Sequence, residues 1–227
     1  MNRELGHAFR RRVEDVAARG RGLRIMEIGS FTGVVSVALQ RLGHRVTASD
    51  IHFVLEDKAL RSFFDAEGVA VCPANLSHSQ LPVPDEIFDL IVFNEVMEHL
   101  NLNPIPLLRE FARVLAPGGK VYCATPNLAA AKNRWLMLRG KSYINPVTDL
   151  VHNLTPNTGM SVGLHWREWT RDELVEVFSV AGLKLSSHRF TLVTPNRSKA
   201  LRRTMVGLMY RFFPSLLPGQ VGVFQKG

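Results

Sequence analysis

Glu95-Val-Met-Glu98-His99 sets two carboxylates and an imidazole at i, i+3 and i+4, a spacing that shares one face of a helical turn. Sixty-six residues after His99 comes His165-Trp-Arg-Glu168-Trp-Thr. Glu95, Glu98, His99 and His165 could together hold a divalent metal with positions left for water or substrate oxygens. Mixed carboxylate and imidazole ligation suits Mn²⁺, Fe²⁺ or Zn²⁺ at least as well as Mg²⁺. A metal-free reading uses the same residues. Glu98 and His99 then cap a turn or line an acceptor pocket, His99 serves as general base, and His165 is a surface histidine before a helix. His7, His44, His52, His78, His152 and His188 have no partner at ligand spacing and read as solvated or structural.

A second group of residues has the chemistry of a nucleoside site. Arg24-Ile-Met-Glu27-Ile-Gly29-Ser30-Phe31-Thr-Gly33 is a short apolar run that breaks at a glycine-bearing turn and enters a helix-like segment. Twenty-three residues after Glu27, Asp50 closes another apolar run, Arg45-Val-Thr-Ala-Ser-Asp50. Strand, glycine turn, helix, strand and acid is the order in which an open α/β sheet holds an adenosine-bearing cofactor. The turn brings backbone close to the cofactor, and the acid accepts hydrogen bonds from ribose hydroxyls. A plain turn would use the same residue types. No Gly-Lys-Ser/Thr follows the turn, so a triphosphate cradle is not indicated.

The elements that must position these residues alternate along the chain. Strands are expected over Leu23–Gly29, Arg45–Asp50, Val69–Ala74, Phe88–Asn94, Lys120–Thr125 and Lys184–Val193, with helices over Val34–Leu42, Leu55–Ala66 and Ile105–Leu115. Thr170-Arg-Asp-Glu173 is a capping box for a helix over Arg171–Ala181, ended by Gly182. The alternation predicts an α/β fold: a doubly wound, mostly parallel sheet with helices on both faces and the site at the strands' carboxyl ends. Residues 1–22 read as a basic amphipathic helix over the sheet edge, and 23–227 as one domain. Asn127–Arg139 looks helical, but the remainder of 128–164 breaks the rhythm and reads as an acceptor-binding insertion.

Phe88-Asp-Leu-Ile-Val-Phe-Asn-Glu-Val-Met-Glu-His-Leu100, Leu107-Leu-Arg-Glu-Phe-Ala-Arg-Val-Leu-Ala-Pro-Gly-Gly-Lys120 and Val121-Tyr-Cys-Ala-Thr-Pro-Asn127 follow the glycine turn in order. Together, over roughly residues 22–192, these motifs resemble the class I S-adenosylmethionine (SAM)-dependent methyltransferases. That resemblance implies a Rossmann-like seven-stranded sheet whose final strand is Gly219–Gln225, and SAM as cofactor, with Gly29, Ser30 and Gly33 at the turn, Glu27 supporting the methionyl end, and Asp50 on the ribose. It also implies Ile51 and His52 beside the adenine, Asn75 and Leu76 at its far edge, and Asn94 facing the sulfonium. Phe31 stands where the family often has a third glycine, so its side chain must point away from the cofactor. Asn75 stands where the family has an acid, and its amide oxygen can accept the same hydrogen bond. Glu-x-x-Glu-His followed by a distant His looks like the metal site of small-RNA 3′-terminal ribose 2′-O-methyltransferases. The Glu-x-x-Glu-His part also looks like that of ubiquinone-pathway O-methyltransferases. A metal beside a methyl donor implies O-methylation, because an aliphatic or catechol-like hydroxyl is a poor nucleophile while protonated. Glu98, His99 and His165 are then the catalytic candidates.

At 227 residues and 46% hydrophobic content the chain can bury one full core. Cys72 and Cys123 lie in apolar runs and read as buried thiols. No apolar h-region follows Met1 and no run approaches the ~18 residues of a membrane span, so a cytoplasmic protein of bacterial type is expected. Net charge is +8, and residues 184–227 contain no Asp or Glu. Asn196–Phe213 has the pattern of a basic amphipathic helix that could meet an anionic membrane surface, hold a polyanion, or simply pack on the sheet. The acceptor expected is a small, glycan or lipid-linked hydroxyl compound. RNA is the second choice, since no RNA-binding module is visible. A non-catalytic SAM-binding protein is the reading from a different class.

Overall fold

Parallel strands covered on both faces need nearly continuous apolar sequence, and the strands of this chain have it. In the computed structural model, which describes residues 3–152, 163–192 and 207–227, β1 (Arg24–Ile28) and β4 (Phe88–Asn94) are buried along most of their length. They pair in parallel with Ile28 opposite Phe93. β2 (Arg45–Ser49) flanks β1 on its other side, and β3 (Ala70–Val71) flanks β2. Beyond β4 come β5 (Leu115–Pro126), β7 (Gly219–Lys226) and β6 (Leu183–Thr191), giving the order β3-β2-β1-β4-β5-β7-β6. β7 lies antiparallel to both neighbours, and the other pairings are parallel, as the alternation predicts.

Two apolar layers cover the sheet. Met26, Ile91, Phe93, Phe111, Phe178 and Phe224 fill the side roofed by α5 (Pro104–Val114) and α8 (Arg171–Val180). Ile25, Val35, Leu39, Phe64, Val92 and Tyr122 fill the side of α2 (Val34–Arg41) and α4 (Lys58–Ala66), with Val16 of α1 (Arg3–Ala17) packed there. α8 starts with the predicted capping box, Thr170 accepting from Glu173 N and Glu173 Oε2 accepting from Thr170 N at 2.9 Å. Both cysteines are buried and unbridged.

Several boundaries differ from expectation for local reasons. The third strand shortens because Pro73 has no N–H to donate, although Cys72 N still donates to Ala48 O and Ala74 N to Asp50 O, both at 2.9 Å. The helix expected over 55–66 starts later, as α4, after the separate short helix α3 (His52–Leu55), because Asp57 turns its carboxylate onto Leu60 N at 2.8 Å and caps a new helix. The segment after β5 carries α6 (Ala131–Leu138) and α7 (Val147–His152). The rest of the expected insertion, 153–162, lies outside the described residues. So do residues 196–206 of the expected basic helix, while 207–212 is helical. Among the described residues no helix is long and apolar enough to cross a membrane.

Candidate functional site

The sheet order reverses between β1 and β4, which opens a crevice at their carboxyl ends. There the glycine turn is pinned to β2, as Gly29 N and Ser30 N both donate to Ser49 O at 2.8 and 3.1 Å. Gly29 and Gly33 have φ of 75° and 73°, and a Cβ on either would run into Val96 Cγ2 or the Phe64 ring. Phe31 also adopts a left-handed backbone, φ 44°, at a cost of about 1 kcal/mol for an L-residue. Its side chain is 65% exposed, and its N–H donates to Asp50 Oδ2 at 2.8 Å. Phe31 thus keeps the turn that a glycine would make, with its ring on the lip of the crevice.

Asp50 is the hub of this lip. Its Oδ1 accepts from Ile51 N at 2.8 Å while Oδ2 holds Phe31, and each oxygen keeps a lone pair for a further donor. Burial raises the Asp50 pKa, opposed by those two N–H groups. Gly29, Phe31, Asp50, Ile51, Leu76 and His99 line a cleft of about 330 Å³. Asn75 is placed differently from expectation. It caps the turn Leu76–His78, its Oδ1 taking Ser77 N at 3.0 Å and Ser77 Oγ at 2.8 Å, and Ala74 and Leu76 line the cleft instead. Around the crevice, Ser30 Oγ, Ser49 Oγ and both amide atoms of Asn94 are buried without a hydrogen-bond partner among the described residues. Buried polar atoms are rarely left so, and a nucleoside with an amino-acid tail offers hydroxyl, ammonium and carboxylate partners for them. These residues fit SAM.

Glu27 lies beneath the turn, buried, and accepts a hydrogen bond from Ser36 Oγ. Burial pushes its pKa from 4.5 to about 8, with the Asp50 charge adding in the same direction. A carboxyl with a raised folded-state pKa favours the fold while protonated. Its contribution is complete below about pH 4.5 and is lost by about pH 8. At about 1.4 kcal/mol per pKa unit the change is on the order of 3–5 kcal/mol. Glu27→Gln is therefore expected to gain stability relative to the parent between pH 5 and pH 8.5, measured by urea unfolding without cofactor. The same stability difference at both pH values would remove Glu27 from this role.

The Glu98, His99 and His165 side chains come together. The turn Met97–His99 and the segment 164–167 are knitted by Trp166 N to Glu98 O at 2.8 Å and by His99 Nδ1 to Leu164 O at 2.8 Å. The two imidazoles stand edge to face, centroids 4.9 Å apart. His165 Nδ1 meets Glu168 Oε1 at 3.2 Å, and Asn133 Nδ2 steadies that carboxylate at 2.8 Å. With both Nδ1 atoms occupied, each ring keeps Nε2 for another partner. Glu98 is fully buried, and Thr125 Oγ1 donates to its Oε2 at 2.9 Å while Oε1 has no hydrogen-bond partner. Oε1 lies 3.9 Å from His99 Nε2, and one ligand atom from each of the three residues falls within 4.8 Å of the others. Ligands at about 2.1 Å from a shared ion sit roughly 3.4 Å apart, so the trio must contract by about an ångström to bind one. Burial and the nearby Glu95 charge push the Glu98 pKa well up, and burial lowers that of His99. The donor set fits a divalent cation.

Glu95 does not join the trio. It has φ 52° and forms an ion pair with Arg12 of α1 at 2.5 Å, so the expected four-ligand set becomes three ligands with Glu95 on the crevice wall. Thr125, Asn133 and Arg12 were not expected at the site. Glu168 was visible in the sequence as the acid three residues after His165, a spacing suited to steadying that ring.

The protein family described as "Methyltransferase domain" matches residues 1–188 of the chain. A protein of Xanthomonas axonopodis pv. citri named ubiquinone biosynthesis O-methyltransferase is 30% identical over 204 residues, 87% of this chain and 80% of that protein. One of the same name from Maricaulis maris is 36% identical over 124 residues, 51% of this chain and about half (48%) of its own length. Among solved structures, an S-adenosylmethionine-dependent methyltransferase from Mesorhizobium loti is similar with TM-score 0.64 at 17% identity, over 96% of this chain and 98% of that one.

Proposed function

Because this chain belongs to the methyltransferase-domain family, and so to the class I SAM-dependent methyltransferases, we propose that it transfers the methyl group to a hydroxyl activated at Glu98, His99 and His165. The observation that carries the oxygen acceptor is the trio itself: an unpartnered buried carboxylate oxygen beside two imidazoles whose other nitrogens are already held. Relatives named as O-methyltransferases support the same acceptor atom. The acceptor is a small, glycan or lipid-linked compound.

The crevice residues hold the donor. Gly29, Ser30 and Gly33 shape the turn, Asp50 receives the ribose hydroxyls, and Glu27 and Asn94 lie toward the methionyl end. In the transfer, the acceptor oxygen bonds the methyl carbon as the carbon–sulfur bond breaks, S-adenosylhomocysteine leaves, and the hydroxyl proton passes to His99 Nε2 or to solvent. A divalent ion at the trio would supply a lower hydroxyl pKa. Thr125 fixes the Glu98 carboxyl, Leu164 O and Glu168 fix the two rings, and His99, uncharged near neutral pH, presents Nε2 at the cleft wall.

Calorimetric titration tests both parts. Chelator-treated protein is expected to bind S-adenosylhomocysteine at micromolar concentration and to show a separate heat with Mn²⁺ or Mg²⁺ that His165→Ala abolishes. Cofactor binding with no metal heat, and turnover unaffected by chelator, would reject the metal and leave His99 as base. Absence of cofactor binding would reject the reading of the crevice.

A further inference from the structure

A second cavity, larger than the cofactor cleft at about 460 Å³, opens behind Glu95 between α1, β6, β7 and the helix at 207–212. Its volume lies in the range of small-molecule sites. It shares Glu95 with the cleft, and shares Arg12 and Glu95 with the space beside the glycine turn. Thr125, which donates to Glu98, is also on its wall. The Arg12–Glu95 pair thus borders both this cavity and the space beside the glycine turn, and Thr125 links the cavity wall to the Glu98 carboxyl.

The charge of this cavity is one-sided. Arg11, Arg12, Arg189 and Arg211 line it, and Glu95 is the only acid among its described lining residues. Arg12 is spent on Glu95, and Arg189 is spent on Asp15 at 2.9 and 2.5 Å. Arg11 and Arg211 have no acid partner among the described residues, and both are exposed. Its lining also includes the apolar Phe190, Leu192, Leu217 and Val221. Guanidinium groups left over at the mouth of a half-apolar cavity select an oxyanion attached to an apolar body.

We infer that this cavity is the acceptor site of the proposed methyltransferase, and that it takes an amphipathic acceptor whose phosphate or carboxylate is read by Arg11 and Arg211. The inference rests on the methyltransferase reading. It adds the acceptor's class and the two residues that recognise it. Neither arginine belongs to the cofactor crevice or to the Glu98 trio.

The full chain saturated with S-adenosylhomocysteine is titrated with phenyl phosphate, benzoate and benzyl alcohol. Phenyl phosphate or benzoate is expected to bind at least tenfold more tightly than the neutral alcohol, and the tighter of the two names the anion. The double variant Arg11→Gln/Arg211→Gln is expected to weaken that anion at least tenfold, with S-adenosylhomocysteine affinity within twofold. Arg61→Gln, on the exposed side of α4, is expected to change neither. Absence of anion binding, equal binding of the alcohol, or unchanged anion affinity in the double variant would overturn the acceptor assignment while S-adenosylhomocysteine still binds. Failure of S-adenosylhomocysteine to bind the parent protein is a separate result, and overturns the methyltransferase reading with it.

Discussion

Glu98→Gln is expected to lower kcat/KM for methyl transfer by roughly 10²–10⁴, the range of a lost activating group, while S-adenosylhomocysteine affinity stays within about twofold. The substitution keeps the volume and the hydrogen-bond acceptor for Thr125 Oγ1, so the fold has little reason to change. What it removes is the capacity of Oε1 to become an anion beside His99 and His165. The buried carboxyl already holds its proton well above the usual carboxylate range, and an amide is likewise uncharged there. By the linkage sign, a carboxyl with a raised pKa loses its contribution as pH rises, so Glu98→Gln is expected to match or exceed the parent's stability at alkaline pH. Steady-state kinetics beside unfolding curves at pH 8 read both halves. Full turnover in Glu98→Gln would remove this carboxyl from the chemistry.

Gly29→Ala attacks the other half of the site. Two costs add at one position: φ of 75°, which an L-residue adopts at roughly 1–2 kcal/mol, and a Cβ driven into Val96 Cγ2. Gly29 N and Ser30 N would lose their grip on Ser49 O, and the lip carrying Asp50 would shift. Cofactor affinity is expected to fall at least tenfold, with about 2 kcal/mol lost in stability. Gly29→Ala/Val96→Ala separates the costs. Removing the Val96 branch relieves the collision but not the backbone strain, so it is expected to restore part of the affinity and not all of it. Unchanged S-adenosylhomocysteine binding in the single variant would show that the turn does not hold the cofactor.

Much of this was readable along the chain because it is local. Phe88–Asn94 is an unbroken apolar run and forms β4 over those same residues. Thr170 and Glu173 announce their helix because a capping box needs nothing beyond four residues. Glu95 was misplaced because its spacing to Glu98 and His99 reads as one helical face. The chain instead passes through a left-handed residue and a short 3₁₀ turn, which sends Glu95 toward α1. Its partner Arg12 stands 83 residues upstream, and no local pattern links the two. Asn75 shows the opposite failure. The family resemblance implied an adenine contact, and a local competitor, Ser77, took the amide oxygen first. His99 and His165 could be suspected of meeting, but the contacts that join them run through backbone atoms, Leu164 O and Trp166 N, which carry no sequence signature.

The two cavities also differ in when they can exist. Apart from Gly163, the cofactor cleft is assembled from residues 28–100, neighbours in a stretch of sheet that needs nothing from the end of the chain. The basic cavity draws on Arg11 and Arg12 at one extremity and on residues from Arg189 to Val221 at the other, and β7 must slot between β5 and β6 before its wall is complete. Contacts so distant in sequence form late. The cofactor cleft can therefore be in place while the wall of the basic cavity is still unbuilt.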